Sequence, residues 1–302
     1  MAENIKFLSE VIIAKFVVMI KDISDQMTYS CLKKILGIAY LGKTNQSAKM
    51  HKSYINGVNT YCLYLAPWNL ARTLSRLSNI PNVCAGGKWC HEHCLNGSGQ
   101  NRPDQMVRSM WSKINISRVK RTLLLFLNRP VFMKMLIHEI NSAMRFSKKH
   151  NMDFAIRLNG TSDISPELFI DPKTGLNVLK LYPNVQFYDY TKIPSRIKLA
   201  RKYDNYFVTF SYDGHNWDVC KKYLDEGGQV AVVFFGHMPK RFNGYKVVSG
   251  DNYDMRFMDP CGVIIGLTYH KTANDYKNGH FEAPKCDFVV DVSEIVKVNK
   301  IL

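Results

Sequence analysis

The sequence predicts an α/β protein: a mostly parallel sheet, barrel-like or an incomplete (β/α) barrel, with a three-cysteine loop and an N-terminal helical extension. Three observations predict it. Short, nearly continuous apolar runs recur beyond residue 152, as when both faces of a strand are buried. Helix-capable stretches such as "PSRIKLARKYDN" and "NWDVCKKYLDEGG" lie between several of them. The runs starting at 154, 185, 206 and 229 are 31, 21 and 23 residues apart, the rhythm of strands joined by crossover helices.

Residues 1–40 read as the extension. Within them "VIIAKFVVMI" (11–20) is too short to span a bilayer, is broken by Lys15 and follows Glu10. It also lacks the early basic region of a signal peptide. The expectation is a buried helix or strand, no membrane partner, and a reducing cytoplasm in which eight cysteines form no disulfide framework. Residues 41–302 read as a single α/β domain. In it, "LGKTNQSAKMHKSYINGVN" is a polar loop and "TYCLYLAP" (60–67) a strand ending at Pro67. The cysteine loop (84–94) follows. Helical periodicity then spans "DQMVRSMWSKINISRVKRTLLLFL" and "RPVFMKMLIHEINSAMRFSKKH", with Asp104 as N-cap of the first and Pro130 in an early turn of the second. The later strands are "FAIRLNG", "VQFYDYT", "YFVTFSY", "QVAVVFF", "YKVVSGD" and "GVIIGLT".

Polar residues collect where these runs end. Parallel α/β proteins bind ligands at the carboxyl ends of their strands. Asn159, Asp163, Asp189, Lys192, Asp213, His215, His237, Asp251 and Asp254 are therefore expected near one face. Asn159, Asp163, Asp189, Asp213 and His215 form the candidate pocket of an enzyme. Asp and Asn also cap helices and form turns, so each single residue has a structural reading as well.

Cys84, Cys90 and Cys94 are spaced C-x5-C-x3-C, with His91 and His93 between the last two. Thiolates this close, in a loop with Gly86 and Gly87, can converge on one soft metal. Three readings stay open: zinc held by the three cysteines and His91 or His93, an iron–sulfur cluster held by the three cysteines, or unmetallated thiols packing a loop. The other cysteines (31, 62, 220, 261 and 286) read as buried small hydrophobes, with Cys62 a further ligand candidate.

Charge is the outlying bulk property: 41 basic against 25 acidic side chains, a net +16. Such a surplus points to polyanions: nucleic acid, an anionic membrane or acidic substrates. Residues 101–150 hold eleven Lys and Arg against only Asp104 and Glu139. On the first of the two helices Arg108, Trp111, Asn115 and Arg118 share a face, with Lys113, Lys120 and Arg121 beside it. Arg and Trp on one face suit phosphate contact with base stacking. The alternative is an amphipathic helix with Trp111 in the core. No P-loop, helix-turn-helix or Ser-His-Asp order is present in the sequence.

The phrases "TYCLYLAPWNL", "RLNGTSDI", "NVQFYDYTKIPSR" and "SGDNYDMRFMDPCGVIIGL", with the C-x5-C-x3-C block, resemble the phage-encoded gene product 88 domain family over roughly residues 41–270. The resemblance implies a viral context, and so the host cytoplasm; joined to the basic charge it leads to phage replication or transcription proteins as expected partners. A looser, architectural resemblance is to radical S-adenosylmethionine enzymes, where three cysteines after the first barrel strand hold a four-iron cluster. Their spacing is C-x3-C-x2-C, so only the order of the cysteines matches. That resemblance would imply S-adenosylmethionine as cofactor, met by "RLNG" at a strand end. Two functions follow: an accessory protein binding single-stranded nucleic acid, or an iron–sulfur enzyme acting on nucleic acid or a small molecule.

Overall fold

The structure is a computed structural model. It describes residues 2–45, 47–68, 70, 71, 74, 79–84, 86, 90, 94, 113–270, 282–284 and 286–293. The chain divides into two compact units, one of residues 1–85 and 108–187, the other of residues 86–107 and 188–302. Residues 1–40 belong to the first unit.

The first unit begins with α1 (Ala2–Lys21) and α2 (Tyr29–Leu36). Ile13, Phe16 and Ile20 form a buried stripe on α1 at helical spacing, while Lys15 is exposed. The apolar run is thus one face of a surface helix. Thr28 caps α2, and Gly37 ends it with φ 58°. The segment read as a loop holds two short elements, β1 (Gly42–Thr44) and α3 (Ala48–Ile55), the latter capped by Ser47. Both are too short for periodicity to show. β2 (Val58–Leu63) is buried at every position.

Two helices follow, α4 (Lys113–Leu127) and α5 (Arg129–Lys149). Asn128 joins them. Its Oδ1 caps α5, and its Nδ2 donates to the carbonyls of Ile20 and Ile23, fixing the end of α1. Pro130 sits in the first turn of α5 as expected. Asp104 lies outside the described residues. Then come β3 (Asp153–Arg157), the short α6 (Val178–Leu181) and β4 (Gln186–Thr191), within which the division falls. β1 runs antiparallel to β2, and β2, β3 and β4 run parallel.

The second unit continues with α7 (Pro194–Ala200), β5 (Tyr206–Ser211), α8 (Trp217–Asp225) and β6 (Gln229–Phe235). β7 (Arg241–Phe242) and β8 (Tyr245–Ser249) form a hairpin; β9 (Ile264–Thr268) and β10 (Val289–Asp291) complete the sheet. The order is β5-β6-β9-β8-β7, antiparallel only in the hairpin. The hairpin turn is Asn243-Gly244, with φ of 48° and 88°, as a two-residue turn matched to strand twist requires. β5 pairs with Gln229–Ala231 of β6, while β10 pairs with Val233–Phe235. One edge of β6 is therefore shared: β5 leaves it and β10 takes it over. Helices α7 and α8 cover this sheet through Ile197, Cys220 and Leu224, packed on Phe210, Val230, Val232 and Ile264.

The mostly parallel α/β fold is as the sequence predicts. The barrel is not formed: neither unit's strands close on themselves, and each series ends in an antiparallel strand.

Glu139, on α5, organises the first unit. Its buried carboxylate accepts hydrogen bonds from Tyr29 Oη (2.8 Å), Tyr61 Oη (2.6 Å), Leu41 N (2.8 Å) and Gly42 N (3.0 Å). One side chain thus ties α2, β1 and β2 to α5. Burial, then the Glu139 charge, push the phenols of Tyr29 and Tyr61 well above their usual range, so both remain donors. A Cβ on Gly42 would stand 2.5 Å from the Tyr61 ring, so only glycine fits there. Glu139→Ala leaves four donors without their acceptor and is expected to cost about 3 kcal/mol or more in urea unfolding; Glu139→Gln, keeping one acceptor oxygen, about half as much.

Candidate functional site

The strand-end residues divide into those that lock loops and those that stay accessible. In the first unit Asn159 is buried. Its Oδ1 accepts from Ser162 Oγ (2.8 Å) and Ile164 N (3.0 Å), and its Nδ2 donates to Ile164 O (2.9 Å). This ring fixes the turn after β3. Half-buried Asp163 donates its backbone N–H to Val83 O (2.7 Å), pinning the chain immediately before Cys84. Asn82 Oδ1 then accepts from Cys84 N at 2.9 Å.

In the second unit Asp189 is also buried. It lies inside β4, faces α7 and pairs with Arg196 Nη2 at 2.8 Å; Tyr206 bonds to Arg196. Asp254 is buried and accepts from Tyr188 Oη at 3.0 Å. Asp251 accepts from Thr268 N at 3.0 Å, tying the ends of β8 and β9. These three carboxylates hold the fold. His237 is exposed just past β6.

Asp213 and His215 are gathered with a residue that the sequence reading missed. Past β5, Asp213 Oδ1 accepts from His215 N (2.9 Å), and Asn216 Nδ2 donates to Ser211 O (3.0 Å). His215 Nε2 lies 3.0 Å from Asp287 Oδ2, both side chains well exposed. Lys192 Nζ stands 5.1 Å above the Phe288 ring. The shared edge of β6 explains this cluster, because the exit of β5 meets the entry of β10 there. The apolar "FVV" after Asp287 is the signal that could have found it. Burial, and then the charges around it, raise the Tyr212 phenol.

None of the eight cysteines is in a disulfide. Cys62 and Cys220 are buried, as expected, but Cys31 and Cys261 are exposed and Cys286 is half-buried, correcting the reading of all five as core. Cys84, Cys90 and Cys94 are half-buried; Cys84 belongs to the first unit, Cys90 and Cys94 to the second. Cys90 packs, with Cys286, against Val233, Tyr269, Phe288 and Val289. Among the described residues no three or more His, Cys, Asp or Glu are grouped to hold a metal. His91 and His93 lie outside the described residues.

The described part of the expected basic helix face is largely internal. Arg108 and Trp111 lie outside the described residues, and Lys113 is exposed. Arg118 and Arg121 are buried. Arg118 stacks on Tyr64 at 5.5 Å; Arg121 covers Tyr40 at 4.9 Å and donates to Tyr64 O at 3.3 Å. Lys120 Nζ caps the end of α2 through Leu36 O (3.0 Å). Burial lowers the pKa of Lys120 and Arg121. These side chains serve packing because α4 is covered on more than one face.

A family model described as Gene product 88 matches residues 38–291. The chain belongs to the gene product 88 family. The matched span runs from just before β1 to the end of β10, so the gene product 88 domain includes the Asp287 segment and leaves out α1 and α2. No curated protein and no solved structure matches the chain. The looser likeness to radical S-adenosylmethionine barrels finds no support, and among the described residues the strands of neither unit close into a barrel. Among the described residues no helix is long and apolar enough to cross a membrane.

Burial pushes the Cys220 thiol up to about 12. Alkylation of the folded protein at pH 8 should therefore label Cys31 and Cys261 first. Cys62 and Cys220 should react at least about 100-fold more slowly until urea is added, as read by peptide mass spectrometry.

Proposed function

We propose that this gene product 88 protein binds single-stranded nucleic acid in the host cytoplasm, as an accessory to phage replication or transcription. The observation that carries the reading is the last turn of α5. Arg145, Lys148 and Lys149 are exposed there, beside the exposed ring of Phe146, which meets the His150 ring at 4.3 Å with the planes tilted by 37°. No Asp or Glu occurs between Glu139 and Asp153. The helix dipole favours cations at this end, but it amounts to about half a charge. Three cations around an exposed aromatic suit a phosphate backbone with a stacked base. The chain's net +16 supports the same reading.

Affinity for a labelled oligonucleotide, measured against salt concentration, tests it. Replacing Arg145, Lys148 and Lys149 together by Ala should lower the log–log slope by about 2, from about 0.7 per single-strand phosphate contact. Phe146→Ala should weaken binding by about 1–3 kcal/mol with the slope unchanged. An unaltered slope and affinity in both variants rejects the reading, and tighter binding to duplex rejects its single-strand part.

The proposal includes a metal centre, zinc or an iron–sulfur cluster, on Cys84, Cys90 and Cys94 with His91 or His93. Its support is the spacing of the donors and the half-buried setting of the three cysteines, not an observed grouping. S-adenosylmethionine belongs to the iron form alone. Protein purified without oxygen should carry stoichiometric zinc, colourless, or iron with a broad visible absorbance. Replacing the three cysteines by Ser should remove it.

A further inference from the structure

We propose that the β7–β8 hairpin is a nucleic-acid contact in its own right, a cationic ribbon that lies along a single-stranded phosphate backbone. This inference rests on the nucleic-acid reading above and adds a site in the second unit that neither the cysteine segment nor the basic helices supply.

The register makes the first argument. Arg241 is the cross-strand partner of Lys246, so two cations stand directly opposite one another on one face of the ribbon. Like charges in that position destabilise a strand pair. Lys240 precedes them, and all three are exposed. Residues 237–249 contain no Asp or Glu, and among the described residues no carboxylate forms an ion pair with Lys240, Arg241 or Lys246. The nearby Asp225 is engaged by Lys221 (2.6 Å) and the Tyr245 hydroxyl. An edge strand needs charge to discourage pairing with another chain, yet a single cation achieves that. Opposed cations without a counter-charge are explained by an anion that bridges them.

The reverse face makes the second argument. Phe242 pairs with Tyr245, and both turn inward. Phe242 meets Trp217 at 5.5 Å and Phe234 at 5.6 Å, and Tyr245 meets Trp217 at 6.2 Å. This cluster seats the ribbon firmly on α8 and β6. Arg241 Nη1 donates to Gly244 O at 2.6 Å, which holds its guanidinium over the turn. The cations are thus displayed on a preorganised support, which lowers the ordering cost of binding. Because the aromatics face inward, the ribbon reads phosphates and not bases, and its contribution should be independent of sequence.

The test compares full-length wild type with Lys240→Ala, Arg241→Ala and Lys246→Ala, singly and combined, on labelled oligothymidine and on a mixed-sequence single strand. Each substitution should lower the log–log salt slope by about 0.7, and the triple variant by about 2, equally for both strands. Arg241→Glu is the control for a structural role. It places an opposite charge across from Lys246, so the melting temperature should rise while affinity at low salt falls at least about tenfold. A triple variant with the wild-type slope and affinity overturns the ribbon site, while the nucleic-acid reading stands if the α5 variants still lose slope. Wild type without salt-dependent binding overturns both. An Arg241→Glu variant that is stabilised but binds like wild type assigns the cations to edge protection alone.

Discussion

Parallel strands bury both faces, so polar side chains buried within or against them must find their partners inside the protein. Glu139 is the fullest case. It stands on a helix packed over the first unit's sheet, and its carboxylate survives burial because two phenols and two backbone N–H groups surround it. Asp189 with Arg196, and Asp254 with Tyr188, follow the same rule in the second unit. So does Gln229, whose Nε2 donates to the carbonyls of Arg256, Asp259 and Pro260 and so fixes the segment before β9.

The same constraint sorts the positive charge. Arg118, Arg121 and Lys120 on α4 are consumed internally, as stacking partners for Tyr64 and Tyr40 and as a cap on α2. Exposed cations gather without a nearby carboxylate in the sequence at the last turn of α5 and on the hairpin that ends the second unit's sheet. Clustering of basic residues in the chain is therefore a poor guide to which of them reach a partner. Arg118 and Arg145 belong to the same basic region, yet one is buried and the other exposed.

The strand ends show a related division. Asn159 and Asp251 are placed where a parallel sheet presents ligand-binding groups, but Asn159 bonds within its own turn and Asp251 accepts from Thr268 N at the end of β9. Asp213 and His215 remain accessible because β5 leaves the edge of β6 and β10 arrives there, opening a short junction that brings in Asp287. The junction is a consequence of topology, made by strands more than 70 residues apart in sequence.

The sequence by itself determined the parallel α/β class, because unbroken apolar runs such as "QVAVVFF" mark strands covered on both faces, and that pattern is local. It also carried the separated phrases by which the family is recognised. The signals for α1 as an amphipathic helix, and for Asn243-Gly244 as a hairpin turn, were local too, in the spacing of Ile13, Phe16 and Ile20 and in the dipeptide itself. Only the tertiary structure decided which polar side chains are spent on the fold. Asp189 and Asp213 both follow the pattern of a strand-end carboxylate; one meets Arg196 in the interior and the other stays near solvent. An open sheet in place of a barrel, and β10 beside β6, were likewise undecided by the chain alone. Strand order is set by contacts between distant segments, and apolar periodicity records that a face is covered without recording what covers it.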